Sequence, residues 1–182
     1  DADALRTLSL CDLSPLAKLG LAGPNASAWL QQQGAPLPER VFDVHQLEDN
    51  GAIVRLGNGE FFLESGLDGS MLPKLDVNLG QGQLGVTRGE RQEATFLLTG
   101  SRAWEVLKQT CGINFEEVPA QRVVMTRIAG MNCNVYPDRA DDFLRYRLWV
   151  DPTFAIALWE SLEQITRQLG GQLAGAAAVF ER

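Results

Sequence analysis

An α+β fold built from two similar halves is what this sequence predicts, and three observations carry the prediction. The first is an ungapped internal match. Ala17-Lys-Leu-Gly-Leu-Ala-Gly-Pro-Asn-Ala-Ser-Ala-Trp-Leu30 lies over Ala94-Thr-Phe-Leu-Leu-Thr-Gly-Ser-Arg-Ala-Trp-Glu-Val-Leu107, Gly23 on Gly100, at a constant offset of 77 residues. The second is periodicity: each copy alternates before its glycine and repeats at helical spacing after it, the pattern of strand, tight turn and helix. The third is a helix-ending glycine downstream in each half, Gly34 and Gly112, with paired strand-like runs beyond it.

In the first copy Leu19 and Leu21 alternate as strand residues, Pro24 suits a first helical turn, and Ala26, Trp29 and Leu30 share one helix face. Strands at 52–56 and 61–64 come after it. Gly57-Asn58-Gly59 joins them as a hairpin, because Asn and Gly accept the positive φ of tight turns. A short helical segment over Met71, Leu72 and Leu75 is broken by Pro73. Residues 80–89, rich in Gly and Gln, read as the linker between pseudo-repeats at 1–80 and 90–182. In the second copy Phe96 and Leu98 take the strand positions, and Ala103, Val106 and Leu107 the helix face. Strands at 123–128, 133–136 and 143–150 come next, the last beyond a polar turn at Pro137-Asp138-Arg139. A helix at 152–169, capped by Asp151 and stopped by Gly170-Gly171, carries Phe154, Ala157, Leu158, Ser161, Leu162, Ile165 and Leu169 in one stripe. Such a stripe faces a core, and each large apolar side chain it buries contributes about 1.5–3 kcal/mol. Halves of this size are marginal alone, so one domain over 1–182 with a shared core is expected.

Composition excludes several classes. Hydrophobic residues make up 45% and charged residues 21%, a globular balance that rules out wholesale disorder. The 23 acidic and 16 basic residues leave a net charge of -7, which repels nucleic-acid phosphates, so no nucleic acid is expected as partner. The longest uncharged apolar run, residues 173–180, is far shorter than the roughly 20 residues of a membrane helix, so no membrane is expected either. The chain opens Asp1-Ala2-Asp3 without a basic and apolar leader and reads as cytoplasmic. Cys11, Cys111 and Cys133 show no C-x-x-C spacing and read as buried reduced thiols.

No catalytic constellation emerges from the residues. Gly80-Gln81-Gly82-Gln83-Leu84-Gly85 spells G-x-G-x-x-G, but a polar segment leading into a strand comes after it, where a dinucleotide site needs a helix. His45 is the single histidine, and no nucleophile turn accompanies it. A zinc site would need His45 to converge with three cysteines of unrelated spacing, so no metal is expected. Asp138, Asp141 and Asp142 read as a solvated loop. Arg145 and Arg147 alternate with Phe143 and Trp149 on one strand face, an arrangement suited to holding a carboxylate or stacking on a planar ring.

The stretch Leu19-Gly-Leu-Ala-Gly-Pro-Asn-Ala-Ser-Ala-Trp-Leu30 resembles the opening of the folate-binding domain in the glycine cleavage T-protein (aminomethyltransferase) group. The chain as a whole resembles more nearly the gamma subunit of heterotetrameric sarcosine oxidase. That likeness runs through Leu98-Thr-Gly-Ser-Arg-Ala103, Leu107 to Asn114, Thr126-Arg-Ile-Ala-Gly130, Phe154-Ala155 and Leu158-Trp-Glu-Ser-Leu162. The resemblance implies a pseudo-duplicated, T-protein-like folate-binding domain of two strand-helix-strand-strand-helix halves, without the C-terminal barrel of T-proteins. It further implies a non-catalytic gamma-type subunit that supplies assembly contacts in a heteromeric sarcosine-oxidase-like amine oxidase or dehydrogenase. Its partners would be larger flavin-bearing subunits, or further copies of itself in a homo-oligomer, with flavins and NAD held only by partner subunits. The alternative it implies is a tetrahydrofolate-binding protein or aminomethyltransferase of one-carbon metabolism. On that reading Arg127, Arg145 and Arg147 are the candidate contacts to folate or a partner. Two departures bear on activity. T-proteins carry an aspartate in the first-half hairpin where this chain reads Gly51-Ala-Ile-Val-Arg55. Their second-half Arg-Tyr-Thr-Gly-Glu signature has its counterpart in Arg127-Ile-Ala-Gly-Met-Asn132, which lacks the pterin-binding Glu. A positioned acid or base is worth about 10²–10⁴ in rate, so these losses argue against turnover.

Overall fold

Each copy of the internal match folds as strand, glycine turn and helix in the computed structural model, which describes residues 2–140 and 143–180. The elements run α1 (Ala2–Thr7), β1 (Ser9–Asp12), β2 (Lys18–Ala22), α2 (Ala26–Gln32), β3 (Val44–Gln46), β4 (Ala52–Gly57), β5 (Glu60–Glu64), α3 (Met71–Leu79) and β6 (Thr87–Gly89). They continue β7 (Ala94–Thr99), α4 (Ala103–Thr110), β8 (Val124–Ile128), β9 (Met131–Ala140), β10 (Phe143–Val150), α5 (Ala155–Gln168), β11 (Gln172–Ala174) and α6 (Ala176–Phe180). The two glycine turns are built alike. Gly23 and Gly100 hold φ of 137° and 109°, and their carbonyls receive the N–H of Ala26 at 3.2 Å and of Ala103 at 3.0 Å. Neither position has room for a side chain: a Cβ would stand 2.2 Å from the Gly85 carbonyl oxygen at Gly23, and 2.5 Å from the Thr7 carbonyl at Gly100. The expected helix faces, Ala26, Trp29 and Leu30 on α2 and Ala103, Val106 and Leu107 on α4, are buried.

The chain divides into two compact units, one of Leu16–Gln92 and one of Asp1–Pro15 with Glu93–Arg182. The first holds a five-stranded antiparallel sheet in the order β3-β4-β5-β2-β6. Leu19, Leu21, Ile53, Phe61 and Leu63 on one face of that sheet pack with Trp29 and Leu30 of α2 and Leu72, Leu75 and Leu79 of α3. The second unit holds a six-stranded sheet in the order β11-β1-β7-β10-β9-β8, antiparallel except for the β1–β11 pair. Its helix-side face, with Leu10, Phe96, Leu98, Val135, Tyr146 and Leu148, packs with Leu107 of α4 and Leu158 and Leu162 of α5.

Several expectations are corrected. Residues 80–89 are not a free linker: β6 pairs with β2, Gly89 opposite Gly20, while the Asn25 N–H and side-chain amide hold the carbonyls of Gly85 and Leu84, each at 3.0 Å. The chain passes between units at 15/16 and at 92/93 instead, since β1 inserts between β11 and β7 and places residues 1–15 with the second half. Each unit has its own apolar cluster behind its helices. Pro73 does not break α3, because as the third helical residue it has no intrahelical N–H bond to lose. The helix α4 ends on extended Cys111 rather than on a left-handed Gly112, whereas Gly34 does take φ 78°. Phe154 lies in the 3₁₀ turn Pro152–Phe154 before α5 and is 47% exposed; the buried stripe runs through Leu158, Leu162 and Thr166. Asp151 caps this segment as expected, accepting the Thr153 N–H at 2.8 Å. Of the thiols, Cys11 and Cys133 are buried and Cys111 is half-buried.

Pro137-Asp138-Arg139 is not a turn but the interior of β9. The Pro137 carbonyl accepts the Gln121 N–H at 3.0 Å, so the nitrogen of Pro137 points away from β10, on the side where β8 has already ended. A proline there costs no ladder bond. Asp141 and Asp142 lie outside the described residues, as does the Phe143 side chain.

Candidate functional site

Period-two geometry sorts the six-stranded sheet into two faces. Tyr146, Leu148 and Val150 of β10 belong to the helix-side cluster, so Arg145, Arg147 and Trp149 stand on the opposite face. The register carries Asp138 opposite Arg145, Tyr136 opposite Arg147 and Asn134 opposite Trp149. Arg145 and Arg147 are thus brought together on one face, as expected from their spacing, and both are buried. Arg127 is not brought to them. It projects on the same face from the edge strand β8, exposed, with its Nε donating to Asn132 at 3.2 Å. Its register partner Asn132 stands six residues along β9 from Asp138, about 20 Å at strand rise.

Sequence reasoning missed the residues that complete this face. Asp138, expected in a solvated loop, is 4% exposed and takes a charge-assisted bond from the Arg145 Nη2. The Tyr136 hydroxyl donates to the other Asp138 oxygen at 3.4 Å, and the Tyr136 ring stacks parallel on Trp149 with centroids 6.0 Å apart. The signal was present: Asn134, Tyr136 and Asp138 are the polar half of an alternation with Cys133 and Val135 that runs on through Pro137. A second buried ion pair lies in the other unit, where Lys18 Nζ stands 3.5 Å from Glu64 across the β2–β5 pair.

Both tyrosines of the chain are buried, and each phenol is shifted upward. Burial pushes Tyr146 up to about 12, with Glu116 adding to it. Burial and then the Asp138 charge raise Tyr136 further than Arg147 and Arg145 lower it. A phenol raised in the folded state stabilises it fully below the unfolded value of about 10, and that contribution is lost as pH climbs through the folded value. The native chain therefore gains no phenolate absorbance at 295 nm at pH 10.5, whereas the urea-unfolded chain titrates both tyrosines near pH 10. Phenolate appearing near pH 10 in the native chain would show that these rings are not sealed.

Two clefts lie within single units. One, about 580 Å³, is lined by His45, Glu48, Asp49, Asp68, Ser70 and Met71 among others. Asp49 is committed there to the fold, accepting the Gly51 N–H at 2.8 Å and the Gly66 N–H at 3.1 Å. The other, about 390 Å³, lies beside α4 with Trp104, Lys108, Cys111, Ile113 and Phe115, the Lys108 ammonium 5.3 Å from the Trp104 ring centre. Arg55, in the stretch where T-proteins place their aspartate, donates to the carbonyls of Glu39, Asn58, Gly57 and Pro38 at 2.9–3.3 Å and so ties loops together. The Arg127 to Asn132 stretch forms the tight β8–β9 hairpin, with Ala129 and Gly130 at φ 48° and 83°. No helix among the described residues is long and apolar enough to cross a membrane.

No protein-family model matches this chain, and no curated protein does. Solved structures do. A chain of heterotetrameric sarcosine oxidase from Corynebacterium sp. U-96, in complex with pyrrole 2-carboxylate, superposes with a TM-score of 0.72 at 20% identity, over 93% of this chain and 91% of that one. Glycine cleavage system aminomethyltransferase T from Bartonella henselae superposes with a TM-score of 0.71 at 15% identity, over 97% of this chain and 51% of that one. This chain thus spans about half the length of the aminomethyltransferase and nearly all of the oxidase chain. At these identities it is the fold that is established, and it is the one the residues led toward: a T-protein-like α+β fold, also that of a sarcosine oxidase chain.

Proposed function

We propose that the chain is a non-catalytic, gamma-type subunit of a heteromeric sarcosine-oxidase-like amine oxidase or dehydrogenase, cytoplasmic, contributing assembly contacts to larger flavin-bearing subunits. The observation that carries this reading is the match in extent: the superposition consumes 93% of this chain and 91% of the oxidase chain. The site chemistry supports it. The stretch Gly51 to Arg55, where T-proteins bring an aspartate, holds no carboxylate, and Arg127 to Asn132, the counterpart of the pterin-binding signature, holds no Glu. Flavin and NAD then belong to the partner subunits. The alike geometry of the Gly23 and Gly100 turns supports a pseudo-duplicated origin for a single folate-binding-like domain over 1–182. Co-expression with flavin-bearing oxidase subunits, followed by size-exclusion chromatography, tests the proposal: this chain elutes with them at stoichiometric ratio. A chain that stays monomeric or only self-associates in their presence sinks it.

A second reading, tetrahydrofolate binding with or without aminomethyl transfer, is favoured by one specific observation. The buried face of Arg145, Arg147 and the stacked Tyr136–Trp149 pair offers guanidinium donors for carboxylates and an aromatic surface for a planar ring. Tetrahydrofolate, when bound, would supply the one-carbon carrier, and these side chains would orient it. Titration followed by tryptophan fluorescence and calorimetry decides between the readings. Saturable micromolar binding at one site per chain supports the second, and no binding at millimolar ligand removes it.

A further inference from the structure

The chain holds two Asn-Gly pairs, Asn50-Gly51 and Asn58-Gly59, and the fold places them in opposite surroundings. In an Asn-Gly pair the side-chain amide is open to attack by the next backbone nitrogen, because glycine has no side chain to hinder the approach or to narrow its φ and ψ. The pair between β3 and β4 is locked. Gly51 is buried, its N–H donates to Asp49 Oδ1 at 2.8 Å, and its carbonyl accepts the Leu47 N–H at 2.8 Å. The Asn50 amide oxygen accepts the Gln46 Nε2 at 3.5 Å. Gly51 also lies so close to β5 that a Cβ would stand 2.5 Å from the Glu64 carbonyl oxygen, so its nitrogen has no freedom to turn toward the Asn50 side chain. The pair in the β4–β5 hairpin is open. Asn58 is exposed, and neither its side-chain amide nor the Gly59 N–H has a hydrogen-bond partner among the described residues. What is held is the main-chain carbonyl between them, whose oxygen accepts the Arg55 Nη2 at 3.2 Å and the Ser27 hydroxyl at 3.4 Å.

We propose that Asn58 is a deamidation site, converted by its own backbone and water to isoaspartate whose new carboxylate is held by Arg55. The Gly59 nitrogen attacks Asn58 Cγ. The N–Cγ bond forms, the Cγ–Nδ2 bond breaks, and the proton of that nitrogen leaves with the amide as ammonia, giving a succinimide. Water then opens the ring. The guanidinium and the hydroxyl donate to the main-chain carbonyl oxygen and draw electrons from its carbon, so water adds there. The bond from that carbon to the Gly59 nitrogen breaks, and the nitrogen regains a proton. The backbone now runs through Cβ and Cγ of residue 58, and the former carbonyl is a carboxylate facing Arg55, a charged acceptor in place of a neutral one. The balance is one ammonia lost and one water gained, with no change of oxidation state. The lengthened hairpin disturbs the first glycine turn. The Gly59 carbonyl accepts the Gly23 N–H at 2.9 Å, and a Cβ on Gly59 would stand 2.3 Å from the Gly23 carbonyl oxygen, so an added backbone methylene pulls this contact apart.

Folate binding and subunit assembly have no part in this chemistry, so the full chain alone serves for the test. It is incubated in mildly alkaline buffer, and its peptides are mapped by mass spectrometry, with electron-transfer fragmentation to tell isoaspartate from aspartate. In the native chain Asn58 reacts at least about tenfold faster than Asn50, while in urea the two rates agree within about twofold, because local structure makes the difference. Arg55→Lys and Ser27→Ala, which each weaken donation to the Asn58 carbonyl, lower the ratio of isoaspartate to aspartate at this position. The isoaspartyl form, separated by anion exchange, unfolds at lower urea than the parent. Asn58→Asp, which adds the same charge without lengthening the backbone, unfolds with the parent. Equal native rates at Asn50 and Asn58 overturn the proposal, and so does a native product in which aspartate dominates.

Discussion

Gly100→Ala and Gly23→Ala each destabilise the folded chain by about 3–4 kcal/mol, the sum of a backbone conformation foreign to L-residues and a collision with main chain. At φ 109° and 137° both glycines lie beyond the small left-handed well that Asn or Asp tolerates. The collisions cannot be relieved by a rotamer change, because the atoms met are the Thr7 carbonyl and the Gly85 carbonyl. Gly82→Ala is the control: its φ is 78°, yet nothing lies within 4 Å of the added methyl, so it costs about 1 kcal/mol. Urea melts of the three variants decide the point. Equal losses at all three positions would mean that the close approaches do not exist, and that the internal match reports sequence drift rather than a packed turn.

Asp138→Asn costs about 3–5 kcal/mol, because it leaves the Arg145 guanidinium buried without its charge partner. The double variant Asp138→Leu with Arg145→Met recovers most of that loss, since a buried pair replaced by apolar side chains of similar volume is often neutral. The cycle separates the coupling from the cost of each change alone. A single Asp138→Asn variant as stable as the parent would place Asp138 in water, as the local sequence suggests.

That second case shows where local sequence misleads. Pro, Asp and Arg in succession are turn residues by propensity, and two further aspartates come after them, so 137–139 reads as a loop. The strand persists because β10 pairs with β9 over its whole length while β8 stops at Val124, which leaves Pro137 on an edge where its missing N–H costs nothing. Asp138 is buried because a guanidinium seven residues further along meets it across the ladder. A partner at that separation is a property of register, and register is set by pairing partners rather than by the segment itself.

Sequence alone determined the local devices of this protein: the two glycine turns, the faces of α2 and α4, the Asn58-Gly59 hairpin, the Asp151 cap and the alternation that puts Arg145 and Arg147 together. Each depends on residues a few positions apart, where chirality, sterics and helical or strand periodicity act without help from the rest of the chain. Tertiary structure decided the rest. It carried residues 1–15 into the sheet of the second half, drew β6 out of an apparent linker, divided the apolar clusters between two units, and joined Asp138 and Arg145 in one buried pair. These outcomes rest on pairings across tens of residues, and no window of sequence carries them, because a strand acquires its neighbours only when the whole sheet has formed.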